Sequence, residues 1–140
     1  MVKAVLFDWG SVLRSKAGGR RAKPVYDLVD ELRSHGIKTG IVSNIYSIFA
    51  KLIRLTGDYN QFDPVILSCD VKIKKPGIGI YKVAIKRLNL RPEELLFVDN
   101  RVENVAAAQE LGMKVVLAKD SNQTAADVKK IILEENGLKL

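Results

Sequence analysis

Five short apolar runs, separated from one another by segments with helical periodicity, constrain the fold of this chain more than any other feature. The runs cover residues 2–7, 39–42, 64–67, 95–98 and 115–118. Strands that alternate with helices pair in parallel, because each helical connection crosses back over a face of the sheet. The sequence therefore predicts an α/β, Rossmann-like fold of three layers, in which helices cover both faces of a central parallel sheet of about five strands.

The segments between and after these runs predict five helices from the spacing of their apolar residues. The first helix begins at Pro24 and ends near Gly36, the second spans 46–55, and the last starts near Thr124 with a capping box to Asp127. The residues expected to face the core are, in chain order, Val25, Leu28, Val29 and Leu32; Phe49, Leu52 and Ile53; Tyr81, Ala84, Ile85 and Leu88; Val102, Val105, Ala106 and Leu111; and Val128, Ile131 and Ile132.

Composition favours a single globular domain over residues 1–140, with 47% hydrophobic and 28% charged residues. Cys69 is the only cysteine, which excludes an intrachain disulfide and indicates a reducing, cytoplasmic location. No apolar run approaches the roughly 20 residues that cross a bilayer, so we expect no membrane association.

The chain is basic, with 23 Lys and Arg against 16 Asp and Glu, and this balance favours anionic partners. Aromatic residues make up only 6% of the chain, so no motif supports a nucleic-acid partner, although the charge permits one. We expect a phosphorylated substrate, either a small molecule or a macromolecule, and a homo-oligomer stays open.

One segment, 14–23, interrupts the alternation of strands and helices with five cations around a glycine pair. It is interpreted as a mobile loop or a short hairpin. Since it follows the first strand directly, it is expected to lie over the end of the sheet, where some of its cations would contact an anionic substrate.

Four short polar motifs follow the predicted strands: Asp8, Ser43-Asn44, Lys75-Pro76-Gly77 and Asp99-Asn100. Each alone has an ordinary structural explanation, as a turn, a helix cap or a solvated surface. The carboxyl ends of parallel strands meet at one edge of a sheet, where open α/β folds bind their ligands. Their shared placement therefore predicts one site.

These residue types suit phosphoryl transfer. A carboxylate can attack phosphorus only if the repulsion between two anions is offset by a cation. Asp8 and Asp99 would hold Mg²⁺ together with a backbone carbonyl and the substrate phosphate. Lys75 would hold the nucleophile and the transferring phosphoryl group, while Ser43-Asn44 and the following helix start would bind the other phosphate oxygens.

Over nearly the whole chain, these motifs resemble those of the haloacid dehalogenase-like hydrolases, most closely in KPGIGIY at 75–81 and FVDNRVEN at 97–104. The resemblance implies that Asp8 is the nucleophile and that the carbonyl of Gly10 is a Mg²⁺ ligand. It also implies that Ser43 binds phosphate, that Lys75 is catalytic, and that Asp99 is the acidic metal ligand of the fourth motif.

Three departures from the family pattern affect the expected chemistry. Gly10 stands where most family phosphatases have a second Asp that serves as general acid and base. Asn100 replaces a frequent second acid, although its amide can still hydrogen-bond to a metal-bound water. The segment between Asp8 and Ser43 has no room for a helical cap domain, so we expect a capless, open site.

Three functions fit this pattern. The first is a Mg²⁺-dependent phosphohydrolase that forms an aspartyl-phosphate intermediate on Asp8. The second is a weakly active or inactive module that binds a phosphorylated ligand or a protein partner, as Gly10 and Asn100 allow. The third is a hydrolytic dehalogenase, which is disfavoured because carbon–halogen cleavage calls for an enclosed apolar pocket.

Overall fold

A computed structural model of the chain, which describes residues 1–14 and 19–140, contains a five-stranded parallel sheet with strand order β3-β2-β1-β4-β5. All five predicted strands form close to their predicted bounds. The strands are Ala4–Phe7 (β1), Lys38–Ser43 (β2), Val65–Leu67 (β3), Leu95–Asp99 (β4) and Lys114–Leu117 (β5).

Helices cover both faces of the sheet, which confirms the predicted α/β architecture. They are Lys23–Ser34 (α1), Ser47–Thr56 (α2), Ser68–Val71 (α3), Ile78–Leu88 (α4), Val102–Glu110 (α5) and Ser121–Asn136 (α6). A π-helical turn at Trp9–Leu13 follows β1, and a 3-10 turn at Pro92–Glu94 precedes β4.

Strand β1 shows how the sheet divides the core into two layers. Val5 and Phe7 pack with the residues of α1 and α6, whereas Ala4 and Leu6 pack with those of α4 and α5. This alternation is the two-residue period of a strand, and full burial on both faces explains why the run is apolar throughout.

The register of the central strands brings their polar ends together. Phe7, the last residue of β1, pairs with Ile41 of β2 on one side and with Val98 of β4 on the other. Asp8 and Asp99, which follow these positions, therefore lie beside each other at the carboxyl edge of the sheet.

The orientation of α2 differs from the sequence prediction. Ile53 packs against the core as predicted, but Phe49 and Leu52 are each 55% exposed, so their predicted burial is wrong. The small, fully buried Ala50 faces the core instead. A helix with apolar residues on two sides satisfies the periodic pattern in either orientation, and here the outward side also carries Ile48.

Two further helix predictions need correction. In α5, Val105 is buried as predicted, but Val102 and Ala106 are exposed and Ala108 takes their place in the core. Helix α6 starts before Thr124, because Asp120 and Gln123 form the capping box that was predicted for Thr124 and Asp127. The remaining predicted core residues of α1, α4 and α6 are buried or half-buried.

Between β1 and β2, the described residues hold only the π-helical turn and α1, so no cap domain is inserted there. Arg14 and Arg21 form an isolated antiparallel bridge, which agrees with the hairpin interpretation of the basic segment. Its residues 15–18 lie outside the described part of the chain. Among the described helices, none combines the length and apolar character that a membrane span requires.

Candidate active site

The two carboxylates of the site come from neighbouring strand ends. Asp8 follows β1, where its backbone N–H donates to the carbonyl of Val98 at 2.9 Å, and its side chain is 15% exposed. Asp99 is the last residue of β4 and is fully buried. One acid is therefore accessible from solvent and the other forms the floor beneath it.

The ammonium group of Lys75 links these two acids. Its Nζ donates to Asp8 Oδ1 at 2.9 Å, to Asp99 Oδ2 at 2.6 Å and to the carbonyl of Val42 at 2.8 Å. These three bonds use all three protons of the ammonium group. Since the side chain is only 1% exposed, its charge is fixed in place and points at both acids.

Asn44 holds the backbone of Lys75 in position. Its Nδ2 donates to the carbonyl of Lys75 at 3.0 Å, and its Oδ1 accepts from the Lys75 N–H at 2.8 Å. Both ends of the amide thus bond to the backbone of a single residue. This contact joins the end of β2 to the segment before α4, and it gives Asn44 a positioning role that sequence reasoning missed.

Asp99 is held by a second set of hydrogen bonds. Its Oδ1 accepts from the backbone N–H of Arg101 at 3.0 Å, and its Oδ2 accepts from Asn104 Nδ2 at 3.2 Å as well as from Lys75. The carbonyl of Asn104 in turn accepts from the hydroxyl of Tyr81 at 2.8 Å. The first turn of α5 returns Asn104 to the strand end, so its spacing from Asp99 was the available sequence signal.

The charges at this edge are not balanced, because two carboxylates share one ammonium group. Burial raises the pKa of Asp8 above its ordinary value, the nearby charge of Asp99 adds to that effect, and Lys75 opposes both. Keeping Asp8 ionised therefore lowers the free energy of unfolding, and an additional cation at the site would stabilise the ionised form.

An open cavity of about 320 Å³ lies above the acids. Its lining residues are Asp8, Gly10, Ser11, Asn44, Lys75, Asn100, Arg101 and Asn104. All the predicted site residues line this cavity except Ser43, which is buried at 3% exposure, and Asp99, whose buried carboxylate joins the site through Lys75. Sequence reasoning missed Ser11, Arg101 and Asn104.

Gly10 leaves room at the mouth of the cavity. A Cβ atom built on it would meet nothing within 4 Å, and its backbone does not adopt a left-handed conformation. A side chain at this position would therefore be tolerated both sterically and conformationally. Neither close packing nor a positive φ explains the glycine.

The donor set suits a hard divalent cation. Lys75 bonds to Oδ1 of Asp8, which leaves Oδ2, and the carbonyl of Gly10 and the carboxylate of Asp99 are further oxygen donors. Among residues 1–14 and 19–140, no group of three His, Cys, Asp or Glu side chains converges on one point. A few oxygens supplemented by waters and phosphate are typical of Mg²⁺ rather than of zinc.

The basic hairpin does not supply its described cations to this cavity. Arg14 and Arg21 both pair with Asp58, and Arg14 also lies 4.7 Å from the centre of the Trp9 ring. Lys23 pairs with Asp27 in α1. Neither these three cations nor Arg20 lines the cavity, so the predicted contact with substrate is not seen for them, while Lys16 lies outside the described residues.

Comparison with known sequences assigns the chain to a family. The family profile described as haloacid dehalogenase-like hydrolase matches residues 22–112. A glyceraldehyde 3-phosphate phosphatase of Methanothermobacter thermautotrophicus is 34% identical over 111 residues, which are 77% of this chain. The chain spans 47% of the length of that relative.

Solved structures show the same fold. An uncharacterized protein from Corynebacterium glutamicum superposes with a TM-score of 0.83 at 21% identity, covering 100% of this chain and 98% of that one. An aspartate-to-alanine mutant of a haloacid dehalogenase family enzyme from Bacteroides thetaiotaomicron, in complex with magnesium and inorganic phosphate, gives 0.71 at 19% identity. That match covers 86% of this chain and 95% of the other.

Proposed function

Because the chain belongs to the haloacid dehalogenase-like hydrolases, we propose that it is a Mg²⁺-dependent phosphatase in which Asp8 is the nucleophile. One observation carries the proposal: a buried Lys75 ammonium group contacts both Asp8 and Asp99 at the floor of an open cavity. The phosphatase relative supports the reaction class, and the magnesium and phosphate complex of the structural neighbour supports the ligands.

In the proposed reaction, the Asp8 carboxylate attacks the phosphorus of a phosphate monoester while the bond from phosphorus to the ester oxygen breaks. Lys75 holds the attacking carboxylate and neutralises charge that develops on the phosphoryl oxygens. The alcohol departs, and water then attacks the aspartyl-phosphate to release inorganic phosphate and restore Asp8.

The metal would be held by Asp8, Asp99 and the carbonyl of Gly10. When bound, Mg²⁺ offsets the repulsion between the carboxylate and the phosphate dianion. The raised pKa of Asp8 agrees with this assignment, because a second cation would stabilise the ionised form that burial and the Asp99 charge disfavour.

Gly10 limits proton transfer rather than phosphoryl transfer. The departing alcohol needs a proton, and a positioned acid generally contributes about 10² to 10⁴ in rate. Without a carboxyl group at residue 10, the proton would come from solvent through the open cavity. The protein should therefore prefer substrates whose leaving group is already acidic, such as aryl phosphates, which release a phenol, or acyl phosphates, which release a carboxylate.

A weakly active phosphate-binding module is the second candidate, and the empty space at Gly10 favours it. In that case Lys75, Asp8 and Asp99 would bind a phosphorylated ligand without turnover. Cytoplasmic location, the size of the substrate and any self-association stay predictions from the sequence.

The deciding experiment measures hydrolysis of phenyl phosphate, acetyl phosphate and a panel of sugar phosphates with Mg²⁺ or with EDTA. The wild type is compared with Asp8→Asn and with a control, Asp30→Asn, which changes an exposed acid of α1. We expect Mg²⁺-dependent turnover that Asp8→Asn abolishes and the control retains. Phosphate binding without turnover on any substrate would support the binding module instead.

A second experiment restores the missing acid. Gly10→Asp has room for its side chain and should raise the rate on alkyl phosphates by about 10-fold or more, with little gain on acetyl phosphate, whose leaving group needs no proton. Gly10→Asn is the matched control, because it has nearly the same shape but no acid. An equal gain from both variants would contradict the role assigned to residue 10.

A further inference from the structure

A second groove lies beside the phosphate cavity and has a different character. Its volume is about 460 Å³, and its walls include Tyr46, Ile73, Lys72 and Lys74. That size is within the range of small-molecule sites. The cavity above Asp8 presents mainly polar groups, whereas this groove offers an aromatic ring, an aliphatic side chain and two cations.

The walls of the two spaces are adjacent along the chain. Asn44 and Lys75 line the phosphate cavity, whereas Ile45, which follows Asn44, and Lys74, which precedes Lys75, line the groove. The paired hydrogen bonds between Asn44 and Lys75 fix these two segments to each other. The same backbone segments therefore border both spaces, so a single molecule that contacts both is a reasonable hypothesis for the substrate.

The apolar part of the groove is accessible. Tyr46 is 79% exposed, and Ile73 is 39% exposed. The position of Ile73 is set by two glycines in and before the first turn of α4. A Cβ atom at Gly79 would lie 2.6 Å from Ile73 Cδ1, and one at Gly77 would lie 3.2 Å from Ile73 Cγ2. The wall therefore depends on both glycines.

The cations of the groove have no acidic partner among the described residues. Lys72 and Lys74 are both exposed, and neither is in an ion pair there. Lys72 adopts a left-handed conformation with φ 63°, which is uncommon for a residue other than glycine and turns the chain at the edge of the groove. Two cations beside an apolar wall match a ligand that is both apolar and anionic.

We propose that this groove binds the alcohol part of the substrate and selects phosphate monoesters of aromatic alcohols that carry a second anionic group. This inference rests on the proposed phosphatase function and specifies its substrate class. Tyr46 and Ile73 contact the aromatic body, and Lys72 and Lys74 attract the second anion. An aromatic alcohol is also acidic enough to leave without a general acid, which agrees with Gly10.

The experiment measures binding rather than turnover, so that it does not depend on catalysis. The protein is the Asp8→Asn variant with Mg²⁺, and the probes are 4-carboxyphenyl phosphate, phenyl phosphate and glycerol phosphate, titrated by calorimetry. We expect Kd to increase in that order. Adding Tyr46→Ala should weaken the two aryl probes by about 5-fold or more and leave glycerol phosphate unchanged.

Matched controls separate the groove from general effects. Leu55→Ala removes an apolar residue of the same helix that is also 79% exposed but does not line the groove. Lys74→Gln should weaken 4-carboxyphenyl phosphate by about 3-fold or more relative to phenyl phosphate, whereas Lys82→Gln on α4 should not. Equal binding of all three probes, or equal effects of Tyr46→Ala and Leu55→Ala, would overturn the proposal.

Turnover by the otherwise unaltered protein then distinguishes the two hypotheses. If it hydrolyses all three probes with the same kcat/KM, the phosphatase function stands and the groove assignment fails. If no probe is hydrolysed but the Tyr46→Ala effect on binding persists, the groove assignment stands as a ligand subsite and the phosphatase function fails.

Discussion

Charged residues lie at both ends of strands β1 and β4, and the acids at the two ends have opposite pKa shifts. At the amino end, Lys3 donates from its Nζ to Glu94 at 2.8 Å, while the backbone N–H of Arg91 donates to the same carboxylate at 2.9 Å. These contacts lower the pKa of Glu94 to about 2, with the bond from Lys3 as the largest cause.

At the carboxyl end, the acids outnumber the cation. Asp8 and Asp99 share Lys75, and burial raises the pKa of Asp8 rather than lowering it. The amino ends of the two strands thus lie beside an acid whose negative charge is stabilised by its partners. Their carboxyl ends carry two acids that share one cation.

The opposite pKa shifts of Glu94 and Asp8 indicate that the charges at the amino end stabilise the fold, whereas those at the carboxyl end suit a reaction. An acid with a lowered pKa strengthens the fold at neutral pH, whereas an acid with a raised pKa weakens it. Acids in a cleft that have shifted pKa values and too few cationic partners are typical of catalytic sites. Proteins retain such acids although they lower the stability of the fold. The opposite signs at the two ends therefore agree with the proposed active site at the carboxyl edge of the sheet.

The largest expected effect comes from Lys75→Met, which removes the shared cation. Asp99 would be left buried without a charge partner, so we expect the free energy of unfolding to fall by about 3 to 5 kcal/mol. Phosphatase activity should fall by at least about 10²-fold. Urea denaturation and a hydrolysis assay measure the two losses.

Lys3→Met is the matched control at the amino end. Lys3 is 49% exposed, so its ion pair with Glu94 should contribute no more than about 1 kcal/mol. If the two lysine variants lost equal stability, the contrast between the ends would not hold.

A smaller effect of opposite sign is expected from Asp8→Asn in the presence of EDTA. Because the folded pKa of Asp8 is above the unfolded value near 3.8, the ionised acid destabilises the fold at pH 7. The variant should therefore be more stable than the wild type at pH 7, and the difference should vanish as the pH falls below the unfolded pKa. A less stable variant at pH 7 would contradict the raised pKa.

The smallest effect should come from Glu94→Gln, and its pH dependence is the reverse. Glu94 has a folded pKa of about 2 and an ordinary value of 4.5, so its contribution is complete above pH 4.5 and is lost as the pH falls toward 2. The variant should be less stable than the wild type at pH 7 and should match it near pH 2. Denaturation curves at pH 7, 4 and 2 test this sign.

The strand ends were predictable from sequence because β1 and β4 are covered on both faces. A fully buried strand is a continuous apolar run, and the first acid after the run marks its end, as Asp8 and Asp99 do. The parallel arrangement brings both acids to one edge of the sheet, and Lys75 reaches that edge from the segment between α3 and α4.

The positioning contacts were not predictable in the same way. The sequence predicts that Asn44 binds phosphate together with Ser43, yet its amide bonds to the backbone N–H and carbonyl of Lys75, a residue far along the chain. The orientation of α2 also escaped prediction, because Phe49 and Leu52 fit a buried stripe as well as an exposed one. Only packing against the finished sheet distinguishes the two.

The backbone amide of Asp8 bonds to Val98 within the middle of the sheet, and the carbonyl of Asp99 accepts from Ala118 at the same edge at 2.8 Å. Amides in central ladders of this kind exchange with solvent hydrogen only when the whole domain opens. The proposed nucleophile, Asp8, is thus bonded directly to a central strand of the sheet. On heating, the loss of any phosphatase activity should therefore coincide with the loss of hydrogen-exchange protection at these amides, in a single cooperative transition.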